Sequence, residues 1–191
     1  MVAASAITPE LVAWIHEAAN PYFDWLFGDP SAARAAVKTW LSRPTSEITA
    51  ARVRPHTVNG EVVGGHVALS GVQLAVARQA DAAAMLKVPG DRAALLHRLT
   101  SVRDLFSPVE PDEWYLSKLG VLPTFRGRGL GSAILDDYIA TGAALGLHRY
   151  RLDVYAENAA VALYERAGFA VVSKTTSKAA GMTYLAMARD N

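Results

Sequence analysis

The feature that most constrains this chain is a glycine-rich turn between an apolar segment and a helix-like segment. Residues 114–122 form a short apolar run typical of a buried strand, and residues 132–145 favour a helix. Between them, Gly127, Gly129 and Gly131 stand at alternate positions. Because glycine reaches positive φ at no steric cost, such a turn lets the backbone approach a ligand closely. The segment therefore predicts a strand and a helix joined by a binding loop.

The charges of this segment suit an anion. Successive N–H groups in the turn, followed by the free N–H groups of a helix start, form a positively polarised concavity. Asp and Glu are absent from residues 114–135, whereas Lys118, Arg126 and Arg128 add three positive charges. The whole chain, with 19 basic and 18 acidic residues, has a net charge of only +1. The sequence thus predicts a local phosphate site and argues against bulk nucleic-acid binding.

Two common phosphate motifs do not fit the loop. A Walker A loop needs Lys and then Ser or Thr after its last glycine, but Leu130 follows Gly129. A dinucleotide fingerprint needs G-x-G-x-x-G, and position 134 holds Ile134 instead of the required glycine. The loop sequence by itself also allows the alternative that the loop only connects strand to helix and binds no anion.

The remaining segments predict a mixed α/β order. Residues 8–42 favour two or three short helices, since Thr8-Pro9 and Asp29-Pro30 combine a capping residue with proline. Asn59-Gly60 is a strong hairpin signal. The other predicted strands are 48–53, 61–69, 149–154, 171 onward and 183–188; the other predicted helices are 81–88, 91–106 and 158–167; residues 72–77 extend the sheet or begin a connector.

Composition bounds the class of protein. The chain has 191 residues, 51% of them hydrophobic and 19% charged, which excludes a disordered chain and predicts one domain over residues 1–191. The absence of cysteine excludes a disulfide framework, a thiolate metal site and a cysteine nucleophile. No segment approaches the roughly 20 apolar residues of a membrane span. We expect a soluble, cytoplasmic α/β (α+β) protein without a metal, and base rates favour a homodimer.

Two motifs give the chain a resemblance to a known family. Residues 121–131 contain V-x-P-x-x-R-G-x-G-x-G with every fixed position filled, and residues 163–169 read L-Y-x-x-x-G-F. Both resemble signatures of the GNAT superfamily of acyl-CoA-dependent N-acetyltransferases. The resemblance covers residues 113–188 closely, and residues 59–65 are similar to the hairpin before the third strand of the family. It implies a GNAT-like fold, with a central mixed twisted sheet of about six to seven strands flanked by helices.

The resemblance implies acetyl-CoA as the acetyl donor and an amine as the acceptor. The pyrophosphate would bind the backbone of the glycine turn, and the pantetheine arm would pair with the strand before it, where Gly120 permits close approach. Asn158 is a further contact candidate, although its six-residue spacing from Tyr164 is one shorter than usual, and it equally suits a helix N-cap. The implied contact residues are Leu119, Gly120, Val121, Arg126, Gly127, Arg128, Gly129, Leu130, Gly131, Ser132 and Asn158.

The resemblance also implies catalytic roles. Tyr164 matches the tyrosine that donates a proton to the departing CoA thiolate, and a phenol remains protonated at neutral pH. Members of the family often carry an acidic base on the strand before the loop, but this chain has Tyr115 and Ser117 there. Glu113 lies on the same strand face by period 2 and is the substitute candidate; His66 is another.

These observations predict an N-acetyltransferase acting by direct attack of the amine on the bound thioester. Because the chain lacks cysteine, a Cys-linked acyl intermediate is excluded. The acceptor would be selected by the regions that match the family least, namely the aromatic-rich N-terminal helices and residues 75–110. A non-catalytic acyl-CoA-binding module on the same fold is the alternative, motivated by the missing acid at positions 115 and 117.

Overall fold

The computed structural model describes residues 7–85 and 91–190, which form helices and strands. The helices are α1 (Pro9–Ala18), α2 (Tyr22–Phe27), α3 (Pro30–Leu41), α4 (Gly71–Met85), α5 (Arg92–Val102), α6 (Leu130–Ala144) and α7 (Val161–Arg166). The strands are β1 (Val53–Val58), β2 (Glu61–Ser70), β3 (Glu113–Val121), β4 (Arg149–Tyr155), β5 (Ala170–Ser177) and β6 (Met182–Asp190). The predicted helix at 81–88 corresponds to the end of α4, and its residues 86–88 lie outside the described residues, as do Pro89 and Gly90.

The strands form one mixed sheet in the order β1-β2-β3-β4-β6-β5. β3 and β4 are parallel, and the other neighbouring pairs are antiparallel. A parallel pair needs a crossover, which the loop and α6 supply. Val67 of β2 packs with α1 and α3, whereas its neighbour Ala68 packs with Tyr138 of α6. Since successive strand residues face opposite sides, helices cover both faces of the sheet, and the predicted α/β fold class is confirmed.

Local signals account for the N-terminal helices and the first hairpin. The Thr8 hydroxyl accepts a hydrogen bond from the Leu11 N–H at 3.2 Å, and the Asp29 carboxylate accepts two from the first turn of α3. Proline occupies the first turn of both helices, where its missing N–H costs nothing. Asn59 and Gly60 have φ of 52° and 81° and connect β1 to β2, so the predicted hairpin is confirmed.

The strand predicted at residues 48–53 is wrong. Ile48 is buried against α1 and α3, and residues 50–52 form a 3₁₀ turn before β1 begins at Val53. The Asp81 carboxylate of α4 accepts hydrogen bonds from the Ser46 hydroxyl at 3.2 Å and the Glu47 N–H at 2.8 Å, which holds the segment away from the sheet. A tertiary contact has therefore overridden the local β-propensity. Residues 72–77 belong to the connector, as part of α4.

Candidate active site

The sheet opens between its two parallel strands. β3 and β4 pair only from Glu113 opposite Arg149 to Leu116 opposite Leu152. Beyond that point β3 continues along β2, whereas β4 continues along β6, so the facing edges have no strand partner in the described sheet. The N–H and C=O groups on these edges are left for a ligand. This wedge is the centre of the candidate site.

A β-bulge at Ser117 lies where the wedge begins. In the pairing with β2, Leu116 is opposite Ala68 and Lys118 is opposite Val67, which leaves Ser117 as the extra residue. A bulge bends its strand and re-aims the side chains that follow. Ser117 and Lys118 consequently both reach towards Glu47, with 2.5 Å between the Ser117 hydroxyl and the Glu47 carboxylate. The bulge changes the side-chain alternation that the sequence predicts for β3.

A cavity of about 530 Å³, called here the loop cavity, joins the wedge to the glycine turn. It is lined by β3, the turn, the start of α6, β4 and α7. Arg128 and Glu113 do not line it. The candidate residues that line it are Leu119, Gly120, Val121, Arg126, Gly127, Gly129, Leu130, Gly131, Ser132, Asn158 and Tyr164.

The backbone of the turn is arranged as an anion cradle. Gly127 and Gly129 have φ of 73° and 79°, and a Cβ built on either would meet no atom within 4 Å. Gly129 is the N-cap of α6 and has no side-chain cap. Within the described part of the chain, the N–H groups of residues 127–131 donate no hydrogen bond. Five free donors beside open space at a helix start fit a pyrophosphate.

The three positive charges that the sequence places near this loop are used differently in the structure. The Arg126 guanidinium donates to the Val121 carbonyl at 3.0 Å and pairs with Glu17 of α1. The Arg128 guanidinium donates to the Thr124 carbonyl at 3.1 Å. Lys118 points away from the turn and hydrogen bonds to Ser117. Much of the predicted local charge is therefore engaged within the protein, and the cradle depends mainly on backbone donors.

Tyr164 of α7 places a phenol against the loop cavity. Its side chain packs on Phe169 with 6.1 Å between ring centroids. It is 6% exposed, and burial raises the pKa of its hydroxyl above the ordinary value, so the group stays protonated. No hydrogen bond to this hydroxyl occurs among residues 7–85 and 91–190. A buried, protonated and unpartnered phenol in a cavity wall can serve as a proton donor.

Asn158 is not the N-cap of α7, which is Ala160, so the predicted capping role is wrong. Its side-chain oxygen accepts a hydrogen bond from the Ala160 N–H at 2.9 Å, in the turn before α7. The same residue lines the loop cavity. The neighbouring Glu157 hydrogen bonds to Tyr155 and does not line the cavity. Asn158 therefore both shapes the approach to α7 and faces the cavity.

Comparison with known proteins agrees with this geometry. The sequence model of the Acetyltransferase (GNAT) family matches residues 12–169, which is most of the chain. The chain belongs to the GNAT acetyltransferase family. It is accordingly an acyltransferase, in a family that uses acetyl-CoA. Within the described residues, no helix is both long and apolar enough to cross a membrane, and no group of three or more His, Cys, Asp or Glu residues could hold a metal ion.

Solved structures and a curated relative agree with this membership. An N-acetyltransferase from Staphylococcus aureus Mu50 superposes with a TM-score of 0.69 at 15% identity, covering 94% of this chain and 93% of that one. An acetyltransferase crystal structure gives a TM-score of 0.61 at 21% identity, covering 96% of each chain. A mycothiol acetyltransferase from Propionibacterium freudenreichii is 48% identical over 58 residues. That match spans 29% of this chain and 18% of the relative.

Glu113 is not brought to the site. It is the first residue of β3, at the opposite end of the strand from the glycine turn, and it is 4% exposed. Its carboxylate accepts a hydrogen bond from the Glu110 N–H at 2.7 Å and lies 3.8 Å from Arg149 and 3.9 Å from Arg151. It lines neither the loop cavity nor the second cavity described below. This placement argues against Glu113 as the base of this GNAT enzyme and favours a structural ion pair.

His66 of β2 lines neither the loop cavity nor the second cavity, although it pairs with Leu119, which lines the loop cavity. It is 1% exposed, its Nδ1 lies 3.6 Å from Asp137 of α6, and its Nε2 has no partner within the described residues. Burial lowers the pKa of His66 from 6.5 to about 4, the Asp137 charge opposes this shift, and Arg54 adds to it. The ring is therefore neutral at neutral pH and packs against Tyr138.

We expect the neutral burial of His66 to make the enzyme acid-sensitive. Unfolded, the ring binds a proton below pH 6.5, whereas folded it does so only below about 4. The contribution of His66 to the free energy of unfolding is therefore fully present above pH 6.5. As the pH drops towards 4, the free energy of unfolding falls by up to about 3 kcal/mol. The His66→Leu variant should lack this loss. Urea unfolding of both proteins at pH 7, 5.5 and 4.5 measures the difference; parallel pH dependences would contradict the assignment.

A second cavity, of about 530 Å³, lies on the other side of the wedge and is called here the aromatic cavity. Its walls come from α1 to α5 and from the segments that follow α3 and α5. These are the regions expected from the sequence to select the acceptor. It shares Ala18, Ser117, Lys118, Asp153 and Tyr184 with the loop cavity. The two cavities therefore meet where β3 and β4 diverge.

A polar cluster that the sequence analysis did not identify lies at this junction. The Tyr115 hydroxyl donates to Asp153 Oδ2 at 3.1 Å, and the Arg78 guanidinium donates to the Tyr115 hydroxyl at 3.4 Å. Burial raises the pKa of Asp153. Burial would also raise the pKa of Glu47, but the charges of Lys118 and Arg78 and the Ser117 hydrogen bond hold it below its ordinary value. The residues come from separate parts of the chain, so no local motif could have indicated them.

Proposed function

We propose that the enzyme transfers an acetyl group from acetyl-CoA to an amine acceptor by direct attack in a ternary complex. The observation that carries the proposal is the loop cavity, which joins the free N–H groups of residues 127–131 to the open edge of β3 and to Tyr164. The free N–H groups suit a pyrophosphate, the open edge of β3 suits an extended pantetheine, and Tyr164 suits a leaving thiolate.

Each group has a distinct role in this proposal. The backbone of the glycine turn holds the pyrophosphate, and the edge of β3 at Leu119, Gly120 and Val121 pairs with the pantetheine as an added strand. The thioester then lies in the wedge, where holding both reactants in a near-attack geometry supplies much of the acceleration. The unpaired strand edge can also polarise the carbonyl, and Tyr164 protonates the thiolate.

Transfer is tested by following CoA release with a thiol reagent across a panel of amines. The absence of cysteine is an advantage, because the protein itself gives no thiol background. We expect release that depends on both acetyl-CoA and an amine, with acetylated amine as the product. Isothermal titration with acetyl-CoA tests the first half alone. Absence of binding at millimolar acetyl-CoA would refute the proposal, and binding without transfer to any amine would favour a non-catalytic CoA-binding module.

The anion cradle predicts that Gly129→Ala weakens acetyl-CoA binding by at least tenfold. The added methyl group would enter the open space beside the free N–H groups. Gly181→Ala is a matched control, because Gly181 also has positive φ with no atom near its Cβ, yet it lines none of the cavities described. Both changes strain a left-handed residue by about 1–2 kcal/mol. Calorimetry should therefore show weaker acetyl-CoA binding for Gly129→Ala than for Gly181→Ala. Equal affinities of the two variants for acetyl-CoA would mean that the pyrophosphate binds elsewhere.

A further inference from the structure

The junction of the two cavities raises the question of which side chain handles the acceptor nitrogen. We propose that the aromatic cavity binds a small primary amine with a flat apolar body, and that Asp153 takes the proton from its nitrogen. This inference rests on the proposed function.

Asp153 is the first residue of β4 beyond the last pair with β3, Leu116 opposite Leu152. Its neighbours Leu152 and Val154 are buried in the cluster that contains Tyr164. By strand alternation, the side chain of Asp153 projects to the opposite face, where it lines the aromatic cavity. Since Asp153 also lines the loop cavity, it lies where a nitrogen entering from one cavity meets a thioester held in the other.

The carboxylate is held in place but is not saturated. Oδ2 accepts the Tyr115 hydroxyl at 3.1 Å, whereas the sole contact of Oδ1 within the described residues is a long one of 3.5 Å to the Ser107 N–H. A carboxylate offers about four acceptor positions, so an amine can still donate to it. Tyr115 occupies the strand position where the sequence lacks the expected acid, and its hydroxyl holds an acid of the adjacent strand. The other charged or titratable groups that influence Asp153 are Arg78, Arg151, Lys118 and Tyr184.

The proton balance of the step is complete without a further reactant. The neutral amine attacks the carbonyl carbon, the C–N bond forms and the C–S bond breaks, and the sulfur leaves with the electron pair. Asp153 takes the surplus proton of the nitrogen, and Tyr164 gives a proton to the sulfur; solvent then restores both groups. The raised pKa of Asp153, caused by burial, makes the carboxylate a stronger base than an exposed one.

The walls of the aromatic cavity define the body of the acceptor. Rings from α2, α3 and the segment after α5 form them, namely Tyr22, Phe23, Trp40 and Phe106. The charged groups largely compensate one another, because Glu47 lies 3.8 Å from Lys118 and 3.7 Å from Arg78. A cavity of about 530 Å³ with aromatic walls and little uncompensated charge favours an arylalkylamine over a polyamine or a highly polar amine.

The experiment compares wild type, Asp153→Asn and Asp136→Asn, with 2-phenylethylamine as the probe. The amide introduced by Asp153→Asn can still accept the Tyr115 hydrogen bond but cannot take a proton. Asp136 is an exposed residue of α6 that lines none of the cavities described, and it serves as the matched control. We expect Asp153→Asn to lower kcat by about 10²-fold or more, with the Kd for acetyl-CoA unchanged. Asp136→Asn should behave as wild type.

The pH profile separates a base from a structural residue. For wild type, kcat/KM should bend downwards below the pKa of Asp153, because the protonated carboxyl cannot take the surplus proton of the nitrogen, whereas Asp153→Asn should show no such bend. For that variant, kcat/KM should rise about tenfold per pH unit until the amine itself is neutral. A Phe106→Ala variant should raise KM for 2-phenylethylamine but not for ethanolamine, which has no apolar body.

The outcomes distinguish this inference from the proposed function. If the wild-type protein does not bind acetyl-CoA, both the proposed function and this inference are refuted. If wild type binds acetyl-CoA but the Asp153→Asn change does not affect transfer, only the inference is refuted. The same holds if transfer prefers spermidine, ethanolamine or a peptide N-terminus to 2-phenylethylamine. If turnover is too slow to measure, calorimetric titration of 2-phenylethylamine into the CoA-saturated protein still measures binding of the amine. Absence of binding in that titration would also refute the inference.

Discussion

Replacing Gly64 with alanine should lower the free energy of unfolding by about 3 kcal/mol or more, a large effect for a single methyl group. Gly64 lies in β2 opposite Val121. A Cβ at this position would stand 2.2 Å from the Gly120 carbonyl oxygen, a backbone atom. β2 pairs with β1 on one side and β3 on the other, so the strand cannot move away without breaking one of the ladders.

Gly60→Ala is the matched control for this prediction. Gly60 lies in the β1–β2 turn with φ of 81°, and no atom lies within 4 Å of its would-be Cβ. Its substitution strains one left-handed residue and should cost only about 1–2 kcal/mol. Urea unfolding followed by tryptophan fluorescence compares the two variants. Equal losses of stability would mean that the close approach of β2 to β3 at Gly64 is not rigid.

The segment from β3 to β4 could be predicted because its signals are local. The turn glycines and the apolar run before them stand next to one another in sequence, so the observed β3, turn and α6 follow from residues that need no distant partner. The Asn59-Gly60 hairpin is local in the same sense. Such signals indicate where the backbone turns, and a strand–helix–strand order then requires a parallel pair with a crossover.

The contents of the wedge could not be predicted, because they depend on contacts between distant parts of the chain. Glu47 reaches Ser117 across 70 residues, and Arg126 reaches Glu17 across 109. The bulge at Ser117 has no signature in the sequence, yet it decides which side chains of β3 face the aromatic cavity. In the sequence, Asp153 is one of the charged residues that alternate with apolar ones along β4, like Arg149 and Arg151, and only the divergence of β3 and β4 brings it to a cavity.

The Glu113 hypothesis shows what alternation alone leaves out. Period 2 assigns Glu113 to a strand face, but it says nothing about how far along the strand the reaction occurs. Eight residues separate Glu113 from Val121, which at about 3.3 Å per residue is roughly 26 Å of strand. The wedge begins only after Leu116, and Glu113 is instead engaged by the Arg149 and Arg151 side chains.

Tyr164→Phe should lower kcat by about 10²-fold while leaving the Kd for acetyl-CoA within twofold of the wild-type value. The change removes only the hydroxyl and keeps the ring that packs on Phe169. Stability should change little, because this hydroxyl has no hydrogen-bond partner among the described residues. The loss should shrink as the pH rises above the pKa of the CoA thiol, about 8.5 for a simple thiol, since the thiolate then leaves without a proton.

Tyr150→Phe is the control that should give the opposite pattern. The Tyr150 hydroxyl donates to the Ile139 carbonyl at 3.1 Å, and the residue lines none of the cavities described. Its loss should lower the free energy of unfolding by about 1–3 kcal/mol and leave kcat unchanged. Steady-state CoA release from pH 6 to 9, with unfolding curves for each variant, tests both expectations. Turnover of Tyr164→Phe equal to wild type across that range would remove Tyr164 from the mechanism, because a proton donor to the thiolate cannot be dispensable at a pH where the thiol is the stable form.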